Sequence, residues 1–206
     1  MAGRPVILEE KLRRKRKILA TAAGLFTKHG FERTTVQMIA DAIDINVALI
    51  YYYFPNKQAL LFGFLEEILE KLLDSTRKAI AECEQTPVER LRAFVRAHVL
   101  LQAEIFKSSA IYTMRSLVLT GDKNKDYNER LNGLERENYN DLVSIIDEGI
   151  KSGEFHVVDK TATAFAILAL SEHYNHWFKE GGRLTTETVA DINATLSLRM
   201  LGVTVD

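Results

Sequence analysis

Apolar residues along this chain recur at intervals of three and four, the spacing of one face of an α-helix, and no stretch alternates for long as a strand would. Ile18, Ala22, Leu25 and Phe26 mark one stripe on a helix over residues 10–29, with Gly30 as its C-terminal stop. Thr34 and Gln37 fit a capping box that opens a second helix ending near Ala42. Asn46 is placed to cap a short third helix ending near Tyr53. Asn56 is placed to cap a fourth, which carries Leu61, Leu65, Ile68 and Leu72 toward Cys83 with room for a break.

Further on, Thr86-Pro87-Val88-Glu89 combines a threonine cap, proline at the first helical position and a glutamate three residues after the cap. The helix it starts shows Leu91, Phe94, Val95, His98 and Leu101 on one face. After a polar interruption at residues 120–124, a long helix carries Leu131, Leu134, Leu142, Ile145 and Ile146 to Ser152-Gly153. Asp159 is placed to cap another, whose residues 162–170 are apolar on nearly all sides; burial is expected for them, and Gly181-Gly182 for the helix end. Leu184 and Val189 flank a Thr185 cap as a hydrophobic staple for a last helix reaching Leu201. About eight or nine helices with short connections predict an all-α protein.

Composition agrees with this pattern. Of 206 residues 47% are hydrophobic, enough for a real core, and three prolines with eleven glycines argue against disorder or an all-β fold. The net charge of −1 hides an asymmetry. Residues 1–57 hold ten Lys and Arg against five acids, whereas the remainder is acidic overall. A basic head on an acidic body is what nucleic-acid binding at one end requires. Cys83 has no second cysteine to pair with, the start of the chain shows no apolar leader, and no run approaches the ~18 residues of a membrane span. A cytoplasmic protein is expected.

The chemistry concentrates in residues 34–61, TTVQMIADAIDINVALIYYYFPNKQALL. Val36, Ile39, Ala40 and Ile43 are expected to form a small core with Leu25 and Phe26, while Ile45, Ile50 and Phe54 seat the third helix. Val47, Ala48, Leu49, Tyr52 and Tyr53 then face solvent. Small apolar groups at such a helix start allow close approach to base edges and suit thymine methyls. Tyrosine hydroxyls reach phosphates, Lys57 brings charge to a helix N-terminus, and the basic run Arg13, Arg14, Lys15, Arg16, Lys17 lies along or before the first helix.

This stretch resembles the helix-turn-helix domain of the TetR-family transcriptional regulators. The matching residues are Thr34-Thr35-Val36, Ile39-Ala40, Ile50-Tyr51-Tyr52-Tyr53-Phe54, Asn56-Lys57 and Ala59-Leu60-Leu61, within residues 14–62. The resemblance implies base reading by Val47, Ala48 and Leu49, phosphate contacts by Tyr52, Tyr53 and Lys57, and backbone contacts by Thr35 and Gln37, with Arg14 in the basic run. Tyr51 is expected to pack, with its hydroxyl at the DNA surface. The chain departs from the family pattern at Asp44, where glycine is usual, and at the apolar pair Val47-Ala48. Specificity is therefore expected to rest on thymine methyls, DNA shape and the basic arm.

The resemblance also implies a division into a DNA-binding domain, residues 1–57 with its basic arm, and a ligand-binding and dimerisation domain, residues 58–206. A small-residue stripe, Ala190, Asn193, Ala194 and Ser197, suits a two-fold interface, although burial inside one subunit is the other use of such a stripe. Residues 149–155 and 177–184 resemble a subgroup that senses acyl-CoA esters. Phe106, Tyr112, Met114, Arg115, Tyr139, Leu142, Phe165, Tyr174 and Trp177 are the candidate walls of an apolar effector tunnel.

Glu172, His173 and His176 form the one metal-like cluster, with too few ligands for a site to be assigned, and no cofactor is expected. Serine elbows, P-loops and CxxC pairs are absent, so no enzyme activity is expected. The reading is a homodimeric bacterial repressor that releases a palindromic operator when a small, largely apolar effector, an acyl-CoA among the candidates, occupies its body. An architectural DNA-binding protein without an effector, or a small helical enzyme, remains the alternative at this level.

Overall fold

The computed structural model describes residues 3–105, 124–173, 177–179 and 181–204. Among the described residues there are eight α-helices and no strand. They are α1 (Gly3–His29), α2 (Val36–Ala42), α3 (Val47–Tyr53), α4 (Lys57–Glu82), α5 (Pro87–Ile105), α6 (Lys125–Ser152), α7 (Lys160–Glu172) and α8 (Thr186–Met200). No helix among these residues is long and apolar enough to cross a membrane.

The boundaries follow local chemistry. Asn46, Asn56, Thr86, Asp159 and Thr185 each accept a backbone N–H of the first turn that follows them, at 2.7–3.2 Å. Gly30 and Gly153, with φ of 82° and 80°, close α1 and α6 in a left-handed conformation that side chains resist. Three expectations are corrected. The basic residues 11–17 lie within α1, which begins at Gly3, so they form a helical row and not a free arm. The chain through Cys83 needs no break, because α4 is continuous to Glu82. Helix α7 ends at Glu172, capped by His173, well before the glycine pair.

Two units emerge. The first comprises residues 3–67 with 124–131, the second residues 68–105 with the described residues from 132 onward. By contacts the two units meet inside α4, and a later piece of chain joins the head.

In the first unit Ile18, Leu19, Ala22 and Phe26 of α1 meet Ile39, Ala40, Ile50, Leu60 and Leu61, all buried. Truncating a side chain such as Phe26 to alanine costs about 3–5 kcal/mol at sites of this kind. Phe62 stacks on Tyr127 at 4.3 Å between ring centroids, which ties the later segment to α4.

In the second unit a continuous core runs through Leu91, Phe94, Val95 and Val99 of α5, Leu142, Ile145 and Ile146 of α6, Ala164 and Ile167 of α7, and Val189, Ala190, Ala194 and Leu198 of α8. Phe155 enters this core over Gly149, where any Cβ would overlap its ring.

The small-residue stripe is corrected here. Ala190, Asn193, Ala194 and Ser197 are at most 2% exposed within the single chain, so they cannot meet a partner. They let α8 lie close along α5, while the Asn193 amide donates to the Leu170 carbonyl at 3.2 Å and the Ser197 hydroxyl to the Asn193 carbonyl at 2.7 Å. The exposed apolar row on α8 is instead Ile192, Leu196 and Met200, each 39% exposed. Likewise only Ala164, Ile167 and Ser171 of α7 are buried, leaving Ala162, Phe165, Ala166 and Ala169 exposed on an apolar outer face.

Candidate DNA interface

The site is built on the turn between α2 and α3. Thr35, not Thr34, is the cap of α2: its Oγ1 accepts from the Met38 N–H at 3.1 Å. Thr34 is fully buried and donates its hydroxyl to the Gly30 carbonyl at 2.8 Å, which fixes the entry to α2. Gln37 does not close a capping box; its amide donates to Asp41 at 2.7 Å on the exposed side of the same helix. Asp44 takes φ 54°, a conformation open to Asp at some cost, and this turns the chain from α2 to α3 without glycine.

Helix α3 is pinned by Ile50, which is fully buried, and by Phe54 just beyond its end. At 100° per residue, burial of Ile50 sends positions 48 and 52 outward and leaves 49 and 51 at the two sides. Ala48 is exposed, Tyr51 is 51% exposed and Tyr52 is 70% exposed, with Val47 half-buried beside them. Tyr51 is thus an outward-facing residue, contrary to its expected packing role. Three consecutive tyrosines carry no periodicity of their own; the buried Ile50 points Tyr52 outward, and the exposure of Tyr51 follows only from the folded head. Tyr53 is half-buried and meets Tyr52 edge-on at 5.1 Å.

Leu49 points partly inward. With Ile18, Ile43 and Ile45 it floors a groove of about 360 Å³ rimmed by Glu10, Arg13, Arg14 and Lys17. Glu10 accepts from Arg14 at 2.9 Å and from Arg13 at 2.7 Å. The hydrogen bond from Arg14, and then that from Arg13, holds its carboxyl below the ordinary range. The pairing orients both guanidinium groups along α1 next to the start of α3.

Lys57 is held inside the head. Its ammonium donates to the Phe31 carbonyl at 2.7 Å and the Glu32 carbonyl at 3.2 Å, and lies 4.4 Å from the Phe31 ring centroid. Two of its three N–H groups are therefore committed to the α1–α2 connection.

Of the candidate effector walls, Phe106, Tyr112, Met114, Arg115 and Tyr174 lie outside the described residues. Leu142 is fully buried in the core and Tyr139 is half-buried, stacked on Phe165 at 5.0 Å. Phe165 and Trp177 are 60% and 55% exposed, an outward placement that differs from the enclosed wall expected of them. His176 of the Glu172–His173–His176 cluster also lies outside the described residues. His173 Nδ1 is 3.1 Å from the Ala169 carbonyl.

A pinned seven-residue helix, turned out by a tight left-handed corner and flanked by a row of cations, defines a helix-turn-helix DNA-binding protein. Residues 18–63 match the profile of the bacterial regulatory proteins of the tetR family, and residues 84–201 match the tetracyclin repressor-like C-terminal domain. The chain belongs to the TetR family of transcriptional regulators, which are not enzymes. It is 29% identical over 182 residues to the transcriptional repressor KstR2 of Rhodococcus jostii, covering 86% of this chain and 85% of that one. A regulatory protein of the family from Rhodococcus RHA1 superposes with a TM-score of 0.79 at 25% identity, covering 93% and 98% of the two chains. AibR in complex with isovaleryl coenzyme A and operator DNA gives a TM-score of 0.72 at 30% identity, covering 89% and 97%.

Proposed function

We propose that this protein is a homodimeric repressor that reads a palindromic operator with α3 and releases it when a small, largely apolar effector enters the second unit. The observation that carries the DNA half is the outward face Ala48, Tyr51 and Tyr52 on a helix whose other face is locked into the core. Ala48 and Val47 are the candidates for base contact, Tyr51, Tyr52 and Tyr53 for phosphate contact, with Arg14 and Lys17 alongside. Thr35 and Gln37 at the start of α2 are further backbone contacts. Lys57 retains one N–H for a phosphate.

Dimerisation is assigned to the exposed apolar rows Ile192, Leu196 and Met200 of α8 and Phe165, Ala166 and Ala169 of α7. Leaving such rows in water is unfavourable, and a two-fold partner presenting the same rows would bury both. Two heads would then address half-sites about 34 Å apart. An acyl-CoA is the effector class favoured by the likeness to AibR, whose complex holds isovaleryl coenzyme A. The effector acts only through its differential affinity for the operator-bound and free states.

Selection from a random duplex pool with the full-length protein tests both halves. An enriched inverted repeat, released by one or more members of an acyl-CoA panel, is expected. Failure to enrich any duplex at low salt overturns the operator reading; enrichment without release by any thioester overturns the effector class.

A further inference from the structure

On α5 and α6, which share one core, buried polar residues interrupt the apolar faces. Arg90, near the start of α5, forms an ion pair with Glu148, near the end of α6. From that pair, Leu91, Phe94 and Val95 going forward and Ile146, Ile145 and Leu142 going backward enter one core, so the helices run antiparallel. His98 and Gln102 lie eight and twelve residues beyond Arg90, and Asn138 lies ten before Glu148. At about 1.5 Å per residue, Asn138 comes level with the gap between His98 and Gln102. All three are buried, His98 completely.

Their polar atoms are not all satisfied. Neither ring nitrogen of His98 has a hydrogen-bond partner, and neither has Oδ1 of Asn138. Stacking on Phe94, 5.9 Å away at 22°, holds the His98 ring in place. Burial depresses its pKa to about 4, so the imidazole is neutral and offers one donor and one acceptor. Natural interiors rarely tolerate such unmet groups unless they serve a function.

We propose that His98 and Asn138 form the polar end of the effector site and receive an uncharged hydroxyl carried by an otherwise apolar effector. A hydroxyl accepts from the His98 N–H through its oxygen and donates its hydrogen to Asn138 Oδ1. A methyl end meets neither group, a ketone leaves Asn138 unmet, and a carboxylate brings a charge that no cation among these three residues offsets. This inference rests on the second unit being the effector-binding body.

Two measurements on the full-length protein test it. Without effector, His98→Leu and Asn138→Leu each remove an unmet buried polar group, and the melting temperature is expected to rise by about 2–4 °C. A fall in either overturns the proposal, because that group would then be paired in the folded protein. In the second measurement, butyryl, hexanoyl and octanoyl coenzyme A are titrated beside their hydroxylated counterparts. The parent protein is expected to prefer a hydroxylated member by about tenfold or more, the loss expected when a polar site meets an analogue lacking its hydroxyl, and His98→Leu to lose that preference. Equal affinity for the plain thioester, or a preference surviving in His98→Leu, overturns it. If no thioester of either kind binds the parent, the acyl-CoA class fails, while the melting temperatures of the two variants still decide the role of His98 and Asn138.

Discussion

Lys57 and Phe31 meet twice: the ammonium donates to the Phe31 carbonyl at 2.7 Å and lies 4.4 Å from the centroid of the same residue's ring. The contact joins the first turn of α4 to the connection between α1 and α2, and so braces the platform that carries α3. A lysine that looks from its position like a phosphate contact is thus first a structural brace. Charged hydrogen bonds of this kind contribute about 1.5–3 kcal/mol, so Lys57→Met is expected to lower the unfolding free energy by about that amount in urea. An unchanged midpoint would show the brace to be idle.

On the outward face of α3, Tyr51→Phe and Tyr52→Phe remove only a hydroxyl. Each is expected to weaken binding to every duplex by about fivefold, corresponding to ~1 kcal/mol for a missing hydrogen bond, with sequence preference unchanged. Lys17→Ala in the α1 row should instead flatten the slope of log affinity against log salt, by about 0.9 for each phosphate that Lys17 neutralises. Anisotropy titrations at several salt concentrations separate the two effects. A tyrosine variant that changes which sequence is preferred would show that its hydroxyl touches bases.

The corner residue Asp44 gives a third expectation. Its φ of 54° suits glycine and is poorly tolerated by β-branched side chains. Asp44→Gly should leave stability within ~1 kcal/mol of the parent, whereas Asp44→Val should cost about 1–2 kcal/mol, read by thermal melting. Equal melting of the two variants would mean that the corner rearranges.

The outer face of α8 can be separated from its inner stripe. Leu196→Glu places a charge on an exposed row and is expected to leave the chain folded but monomeric by sedimentation. Asn193→Leu and Ser197→Leu, which overfill the contact of α8 with α5, are expected to lower the melting temperature instead. A dimer persisting in Leu196→Glu would remove α8 from the interface.

Acid should reveal His98. Its pKa is about 4 in the folded chain against 6.5 as the ordinary value. Above pH 6.5 both states are neutral there and stability is unaffected. As pH falls from 6.5 to 4, the unfolded chain binds a proton that the folded chain refuses, so stability declines by up to about 3 kcal/mol. His98→Leu should remove this portion of the pH dependence; an unchanged acid profile would place the effect elsewhere.

The sequence by itself determined most of the helices and of their caps, because each cap is a local contact: Asn46, Asn56, Asp159 and Thr185 bind N–H groups within three residues of themselves, although α2 is capped by Thr35 and not by Thr34. It also determined the regulator family, since the residues from Thr34 to Leu61 that shape the corner and seat α3 are contiguous. Tertiary structure decided whatever depends on partners far away in the chain. That Tyr52 points outward follows from Ile50 entering the head core, the exposure of Tyr51 from the packing around the helix, and the bracing role of Lys57 from a connection some 25 residues earlier. Ala190, Asn193, Ala194 and Ser197 read first as an interface, with a core stripe as the other use, because small residues permit close approach to any helix. Only the position of α5 against them settled that they face inward, leaving Ile192, Leu196 and Met200 to face out.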